Sequence, residues 1–287
     1  MSHAPQRDSI YLEEARVISH EALPGEQYIL RLQAPQCAAH AQPGQFIHLT
    51  VGPRLRMRRP ISLMRVDAEA GWLELLYKVV GDGTAELAQR QPGEVLSCLG
   101  PIGQGFTLRG PRPLLLGGGV GMPPMIFLAE RLRRTAAKPF VVLGSEVPFP
   151  FQARPSAILV PGLPDGVIGT MPLLEDWGVP ARLASLQGYP GCHEGYVTDL
   201  ARAWLDALAA DARAEVCLYA CGPEPMLRAA VALARDYELP IQVSLEEYMA
   251  CAVGGCAGCV VEVTEPAGPQ MRRVCVDGPV FDGYAVY

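Results

Sequence analysis

Four cysteines near the end of the 287-residue chain constrain it more than any other feature: Cys251-x4-Cys256-x2-Cys259, followed by Cys275. Gly254, Gly255 and Gly258 stand between the first three. One loop of small residues therefore presents three thiols to a common centre, and the fourth arrives from a later stretch. Four thiolates around an inorganic centre make a net anion, and only a loop with little side-chain bulk can turn its backbone N–H groups onto the sulfurs. The spacing fits a [2Fe–2S] cluster. Four thiolates also satisfy a tetrahedral structural zinc ion, although zinc sites more often pair two short Cys knuckles. A disulfide framework fits less well, because nine cysteines leave one over and residues 1–18 lack the basic-then-apolar order of a secretory leader.

The length suits two domains with a small appendage, and a hydrophobic fraction of 49% is enough to bury their cores. A net charge of −6 argues against nucleic acid or an anionic membrane as partner. Residues 113–129 carry no charge, but four glycines and three prolines interrupt them and they are too short for a membrane span. The expectation is a soluble cytoplasmic protein with reduced thiols.

The punctuation of the chain changes twice. Residues 15–18, 27–32, 45–51, 61–66, 72–79 and 94–99 read as short strands separated by Pro-Gly, Asp-Gly and similar turns, with one helix at 83–90 that Thr84 would cap. Such a series predicts an antiparallel barrel. From about residue 111 strands and helices alternate: strands at 113–116, 140–143 and 215–220, a further apolar run at 157–160, and helices at 125–134, 198–210 and 225–237. That rhythm predicts a doubly wound parallel sheet. After residue 239 come a short strand at 242–245, the cysteine loop, and a strand pair at 260–264 and 273–277 joined by a turn at 266–268. The predicted fold is multi-domain β plus α/β, with domains 1–109, 110–238 and 239–287.

Two further stretches carry chemistry. Gly117, Gly118, Gly119 and Gly121 lie between a strand and a helix, where a backbone without side chains lets a pyrophosphate approach the N–H groups and positive dipole end of the helix. The pattern is not G-x-G-x-x-G, since Pro124 stands where the third glycine would be. Glu146, just past the following strand, is placed to accept from a ribose diol, or else is a solvated loop carboxylate. Arg54, Arg56, Arg58 and Arg59 crowd six residues of an acidic protein and run into Pro60-Ile61-Ser62. Guanidinium forks of this kind suit the phosphates of an anionic cofactor, with a solvated surface patch as the plain alternative. The loop Gly81-Asp82-Gly83-Thr84 offers N–H groups for the same purpose. Cys37, Cys98, Cys192 and Cys217 have no ligand spacing, and His3, His20, His40, His48 and His193 form no metal or triad pattern.

Taken in order, Arg59-Pro60-Ile61-Ser62, Leu76-Tyr77-Lys78, Gly83-Thr84, GPIGQGF at 100–106, the glycine loop, Cys221-Gly222-Pro223, the four cysteines and VCVDGPVF at 274–281 make a set. In it the chain resembles ferredoxin–NADP reductase-like flavoproteins, and among them the electron-transfer subunits of NAD-dependent dihydroorotate dehydrogenase. The resemblance implies that Arg59, Pro60, Ile61, Ser62, Leu76, Tyr77, Lys78, Gly83 and Thr84 bind FAD. It also implies that Cys251, Cys256, Cys259 and Cys275 ligate a [2Fe–2S] cluster and that Cys221, Gly222 and Pro223 lie near the nicotinamide of NAD, although Cys221 read alone is equally a packed strand-end thiol. The implied partner is an FMN-containing dihydroorotate dehydrogenase catalytic subunit, in a heterotetramer serving pyrimidine biosynthesis. No acid–base pair for pyrimidine chemistry is visible, which fits a chain that only moves electrons. Two other readings stay open at this stage: a NAD(P)H-dependent reductase subunit feeding a different flavin or iron–sulfur oxidoreductase, and a zinc-containing nucleotide-sensing binding protein.

Overall fold

The computed structural model describes residues 9–53, 55 and 57–287, so Arg54 and Arg56 of the arginine cluster lie outside the described residues. Six strands close a barrel: β1 (Tyr11–Leu23), β2 (Gln27–Gln33), β3 (Phe46–Leu49), β4 (Arg59–Asp67), β5 (Trp72–Lys78) and β6 (Val95–Ile102), in the order β1-β2-β5-β4-β3-β6. Every neighbouring pair is antiparallel, and closure leaves no strand edge unpaired. Leu30, Leu32, Leu63, Leu73 and Leu75 are wholly buried, and Leu30 faces Leu75 as Leu32 faces Leu73. Removing each such side chain from water stabilises the barrel by about 2 kcal/mol. Two helices interrupt the strands: α1 (Pro35–His40), which has no counterpart in the sequence expectation, and α2 (Asp82–Leu87). Thr84 caps α2 from its third position rather than from its boundary, its hydroxyl accepting from the N–H of Val80 at 2.9 Å and of Gly81 at 3.3 Å.

The second sheet holds β7 (Arg112–Gly118), β8 (Phe140–Gly144), β11 (Ala181–Ala184), β12 (Val216–Cys221), β13 (Ile241–Ser244) and β16 (Val280–Asp282), in the order β11-β8-β7-β12-β13-β16. Strands β11, β8, β7 and β12 run parallel, and α3 (Met122–Leu132), α5 (Val197–Ala207) and α7 (Glu224–Asp236) pack on them. Strand order reverses between β7 and β12, which is where open α/β sheets bind nucleotides. The apolar run 157–160 is not a strand, and Leu159 stands almost fully exposed. The sheet position expected of it belongs to β11, whose buried Arg182 donates to the carbonyls of Val167, Ala181 and Ile158. Between them lie the two-residue strands β9 (Arg154–Pro155) and β10 (Gly169–Thr170) and the short helix α4 (Pro172–Asp176). Helix α6 (Ala210–Ala214) precedes β12.

The tail forms a hairpin of β14 (Val260–Glu265) and β15 (Gly268–Arg273), then β16 and α8 (Gly283–Val286). The second hairpin strand thus ends at Arg273 instead of starting there, and the residues after it turn. By contacts the described chain divides into two compact units, one running to Phe106 and including Ser244–Phe281, the other Thr107–Val243 with Asp282–Ala285. The cysteine segment therefore packs with the barrel: Gln104 N donates to Gly278 O at 2.6 Å and Gln104 Nε2 to Val276 O at 3.4 Å. No helix among the described residues is long and apolar enough to cross a membrane.

Candidate functional site

The cysteine loop is held in an unusual backbone shape. Ala252, Gly254 and Ala257 have φ of 56°, 81° and 54°, the left-handed region that costs a side-chain-bearing residue about 1 kcal/mol or more. The turns aim N–H groups inward. Burial alone would raise the Cys251 thiol, yet the backbone of Val253, Cys256 and Gly255 and the Cys256 side chain hold it down to about 7. Gly258 N donates to Cys256 Sγ at 3.4 Å. Cys275 is brought beside Cys259 because Val274 N bonds Cys259 O at 2.9 Å. Its own thiol is pushed up to about 12, by burial first and then by Cys259.

The sulfurs thus approach in twos, Cys251 with Cys256 and Cys259 with Cys275, with Cys251 within electrostatic reach of Cys275. Among the described residues no three His, Cys, Asp or Glu side chains converge on the position of a single metal ion. Four thiols gathered in one locality are the donor set of a two-iron centre. Sequence reasoning missed Arg273, which fastens the loop by donating to Gly254 O at 3.2 Å while its own N–H bonds Asp277 at 2.8 Å. Its signal was an opposite-charge pair four residues apart around Cys275.

On the barrel, the structure separates residues that the sequence grouped. Arg58 is bound by protein, donating to Ser97 O at 2.6 Å, to Ser97 Oγ at 2.8 Å and to His48 O at 3.2 Å. Arg59 donates only to carbonyls of its own stretch, Met57 O at 2.8 Å and Arg58 O at 3.2 Å, and lies over Gly83: a Cβ there would fall 2.1 Å from Arg59 Nε. Arg59 and the Gly83-Thr84 turn therefore form one cradle that a side chain at position 83 would fill, and its charge and small floor fit a phosphate-bearing cofactor. The N–H group of Gly81, expected to be available, is taken by the Thr84 hydroxyl, as is that of Val80. Tyr77 points away from Leu76 and Lys78 by the alternation of β5. Its hydroxyl meets His20 Nε2 at 2.9 Å, its ring stacks on Tyr28 at 5.4 Å, and burial raises its pKa.

In the other unit the glycine loop and Cys221 meet. Cys221 is the register partner of Gly117 at the ends of β12 and β7, and a Cβ on Gly121 would stand 2.3 Å from Cys221 O. A Cβ on Gly118 would meet Met226 Sδ at 2.4 Å, whereas at Gly119, with φ of 54°, it would meet nothing within 4 Å. Pro123 and Pro124 open α3 and carry no N–H. Backbone N–H groups at this loop therefore belong to the 3-10 turn Gly119–Gly121 more than to the helix end that the sequence pointed to. Glu146 is exposed two residues beyond β8, and Cys221 and Gly222 are buried while Pro223 is exposed.

The barrel of residues 9–106 matches the oxidoreductase FAD-binding domain model, and residues 246–287 match the iron–sulfur cluster binding domain of dihydroorotate dehydrogenase B. A solved NADH-dependent reduced ferredoxin–NADP oxidoreductase, described for flavin-based electron bifurcation, superposes with a TM-score of 0.78 at 24% identity over 96% of this chain and 90% of that one. A ferredoxin reductase of carbazole 1,9a-dioxygenase gives 0.60 at 20% identity over 82% and 69%. Fold and cysteine segment together define a ferredoxin–NADP reductase-like oxidoreductase that binds FAD and an iron–sulfur cluster.

Its particular kind follows from whole-chain relatives. The dihydroorotate dehydrogenase B (NAD(+)) electron transfer subunit of Bacillus caldolyticus is 36% identical over 94% of this chain and 96% of its own length, and that of Shouchella clausii is 35% identical over 92% and 94%. The chain belongs to this family of electron transfer subunits. The zinc reading falls with that match.

Proposed function

We propose that the chain carries electrons between an FMN-containing dihydroorotate dehydrogenase catalytic subunit and NAD⁺, in the cytoplasm, as part of a heterotetramer. The observation that carries this is the pairing of the four thiols in a loop whose N–H groups already face sulfur. Bound FAD supplies the exchange between a two-electron hydride and single electrons, which nicotinamide and an iron–sulfur centre cannot make with each other.

The chain's own residues bind and orient. Cys251, Cys256, Cys259 and Cys275 would hold a [2Fe–2S] cluster, and Arg273 keeps the loop closed by donating to Gly254 O. Arg59 and the turn at Gly83 and Thr84 hold FAD phosphate, with the backbone of Pro60, Ile61 and Ser62 and the outward side chains of Leu76 and Lys78 beside it; Tyr77 supports that strand from behind. Gly117, Gly118, Gly119 and Gly121 receive the pyrophosphate of NAD, Glu146 the adenosine ribose, and Cys221, Gly222 and Pro223 border the nicotinamide. Hydride transfer needs no protein base, so orientation is the protein's contribution. Purified protein should show flavin and iron–sulfur absorption together, with one FAD, two irons and two sulfides per chain expected. A colourless preparation containing zinc would overturn the reading.

A further inference from the structure

One polar side chain is buried where nothing in the preceding assignments uses it. Strand β3 is buried along its whole length, yet its third residue is His48, 1% exposed, and neither ring nitrogen completes a hydrogen bond among the described residues. A buried imidazole whose nitrogens complete no hydrogen bond works against folding, so a position that keeps one calls for a reason other than stability.

The register supplies the surroundings. Ile47 and Leu49 are wholly buried, and Ile47 lies opposite Ile61, so these residues share the face of β3 that fills the barrel. By strand alternation His48 and Phe46 are on the outer face, directly opposite Pro60 and Ser62 respectively. Those two residues belong to the strand segment assigned to FAD. The ring also lies beside backbone of Met249, two residues before Cys251, and that backbone favours its protonated form. Burial first, and the neighbouring Arg58 second, outweigh this and hold its pKa down to about 4. At neutral pH the ring is therefore uncharged, with one N–H and one bare nitrogen.

We propose that His48 is a positioning residue wedged between the flavin-binding strand and the root of the cluster loop, where it sets how closely the two redox centres approach and hence the rate at which single electrons pass between them. This rests on the cofactor assignments above. No bond is made or broken at the imidazole: one electron leaves one centre and enters the other, and the ring stays neutral throughout. A phenyl ring at the site would fill a similar volume but present no polar edge to the Met249 backbone beside it.

The test compares the wild-type holoprotein with His48→Phe and His48→Gln. Flavin and iron are quantified, the EPR spectrum of the dithionite-reduced cluster is recorded, and rapid mixing with NADH follows flavin reduction and then cluster reduction. The expected result for His48→Phe is normal cofactor content, an unchanged flavin phase, an altered EPR signal and a cluster phase slowed by about tenfold or more, since small misplacements of reacting groups carry penalties of that order. His48→Gln, which keeps an N–H donor, should recover most of the rate. A His48→Phe protein with a wild-type cluster phase and EPR signal overturns the proposal. If that variant does not fold, His48→Leu decides: slowing of the cluster phase alone supports the assignment and a wild-type rate overturns it. Wild-type protein lacking flavin or iron would overturn this proposal and the proposed function together, whereas unaltered kinetics in a fully loaded variant overturn only the role of His48.

Discussion

Gly121 lies against the carbonyl of Cys221 so closely that a Cβ would stand 2.3 Å from that oxygen. The obstacle is backbone at the end of β12, so no rotamer change can relieve it. Gly121→Ala must push the glycine loop away from the Cys221-Gly222-Pro223 turn, at a cost of about 1 to 3 kcal/mol. The expected outcome is a lower unfolding midpoint and NADH affinity weakened at least about tenfold, with FAD content retained. Isothermal titration with NADH and flavin quantification check it, and wild-type NADH affinity would place the nucleotide elsewhere.

Arg59 and Arg58 should respond differently to the same substitution. Arg58 is spent on Ser97 and His48, so Arg58→Lys removes a forked set of bonds between β3 and β6 and should lower stability by about 1 to 2 kcal/mol. Arg59→Lys leaves that joint intact but loses the planar fork over Gly83, so FAD should wash out on gel filtration while the unfolding midpoint of the apoprotein barely moves. Equal FAD loss in both variants would mean that the cradle is not where the flavin phosphate sits.

How much of this could be read in advance depends on the range of the interactions. Barrel strands were legible because Pro-Gly and Asp-Gly turns and two-residue alternation are local signals. The strand β11 was not, because Arg182 breaks its apolar run, and only the carbonyls of Val167 and Ile158, from distant segments, together with that of the adjacent Ala181 make that burial tolerable. The run at 157–160 failed for the opposite reason, being apolar in sequence but exposed at Leu159. Helix α1, six residues with a proline at its start, is too short to display a period. That Cys275 comes back beside Cys259 follows the spacing, three cysteines in one loop and a fourth on a later stretch. Which arginine ties β3 to β6, and that Tyr77 turns inward, depend on partners such as Ser97 and His20 that no local pattern announces. His48 did leave one trace, a polar residue at the centre of a strand otherwise fit only for a core.

The cluster should be separable from the flavin. Cys256 is exposed and Cys275 buried, and both are proposed ligands. Cys256→Ser should abolish the iron–sulfur EPR signal while FAD content and the reduction of FAD by NADH remain. Cys275→Ser removes a ligand from a packed position beside Cys259 and should in addition lower the unfolding midpoint. Flavin lost together with iron in Cys256→Ser would mean that the two sites fold as one.

The buried imidazole also makes a statement about pH. His48 is held at a pKa of about 4 against an ordinary 6.5, first by burial and then by Arg58, with Arg59 adding to it. Between those two values the unfolded chain binds a proton that the folded chain does not. Stability that is complete above pH 6.5 is therefore lost as the pH falls toward 4, and a shift of this size corresponds to about 3 kcal/mol. Acidic side chains titrate over part of the same interval, so the informative quantity is the difference in urea unfolding free energy between wild type and His48→Leu. That difference should move against the wild type by about one proton's worth of slope as the medium is acidified, because leucine has nothing to protonate. A difference that stays flat across the interval would mean that the imidazole is solvated or partnered in solution, and the wedge between β3 and Met249 would then have to be abandoned as well.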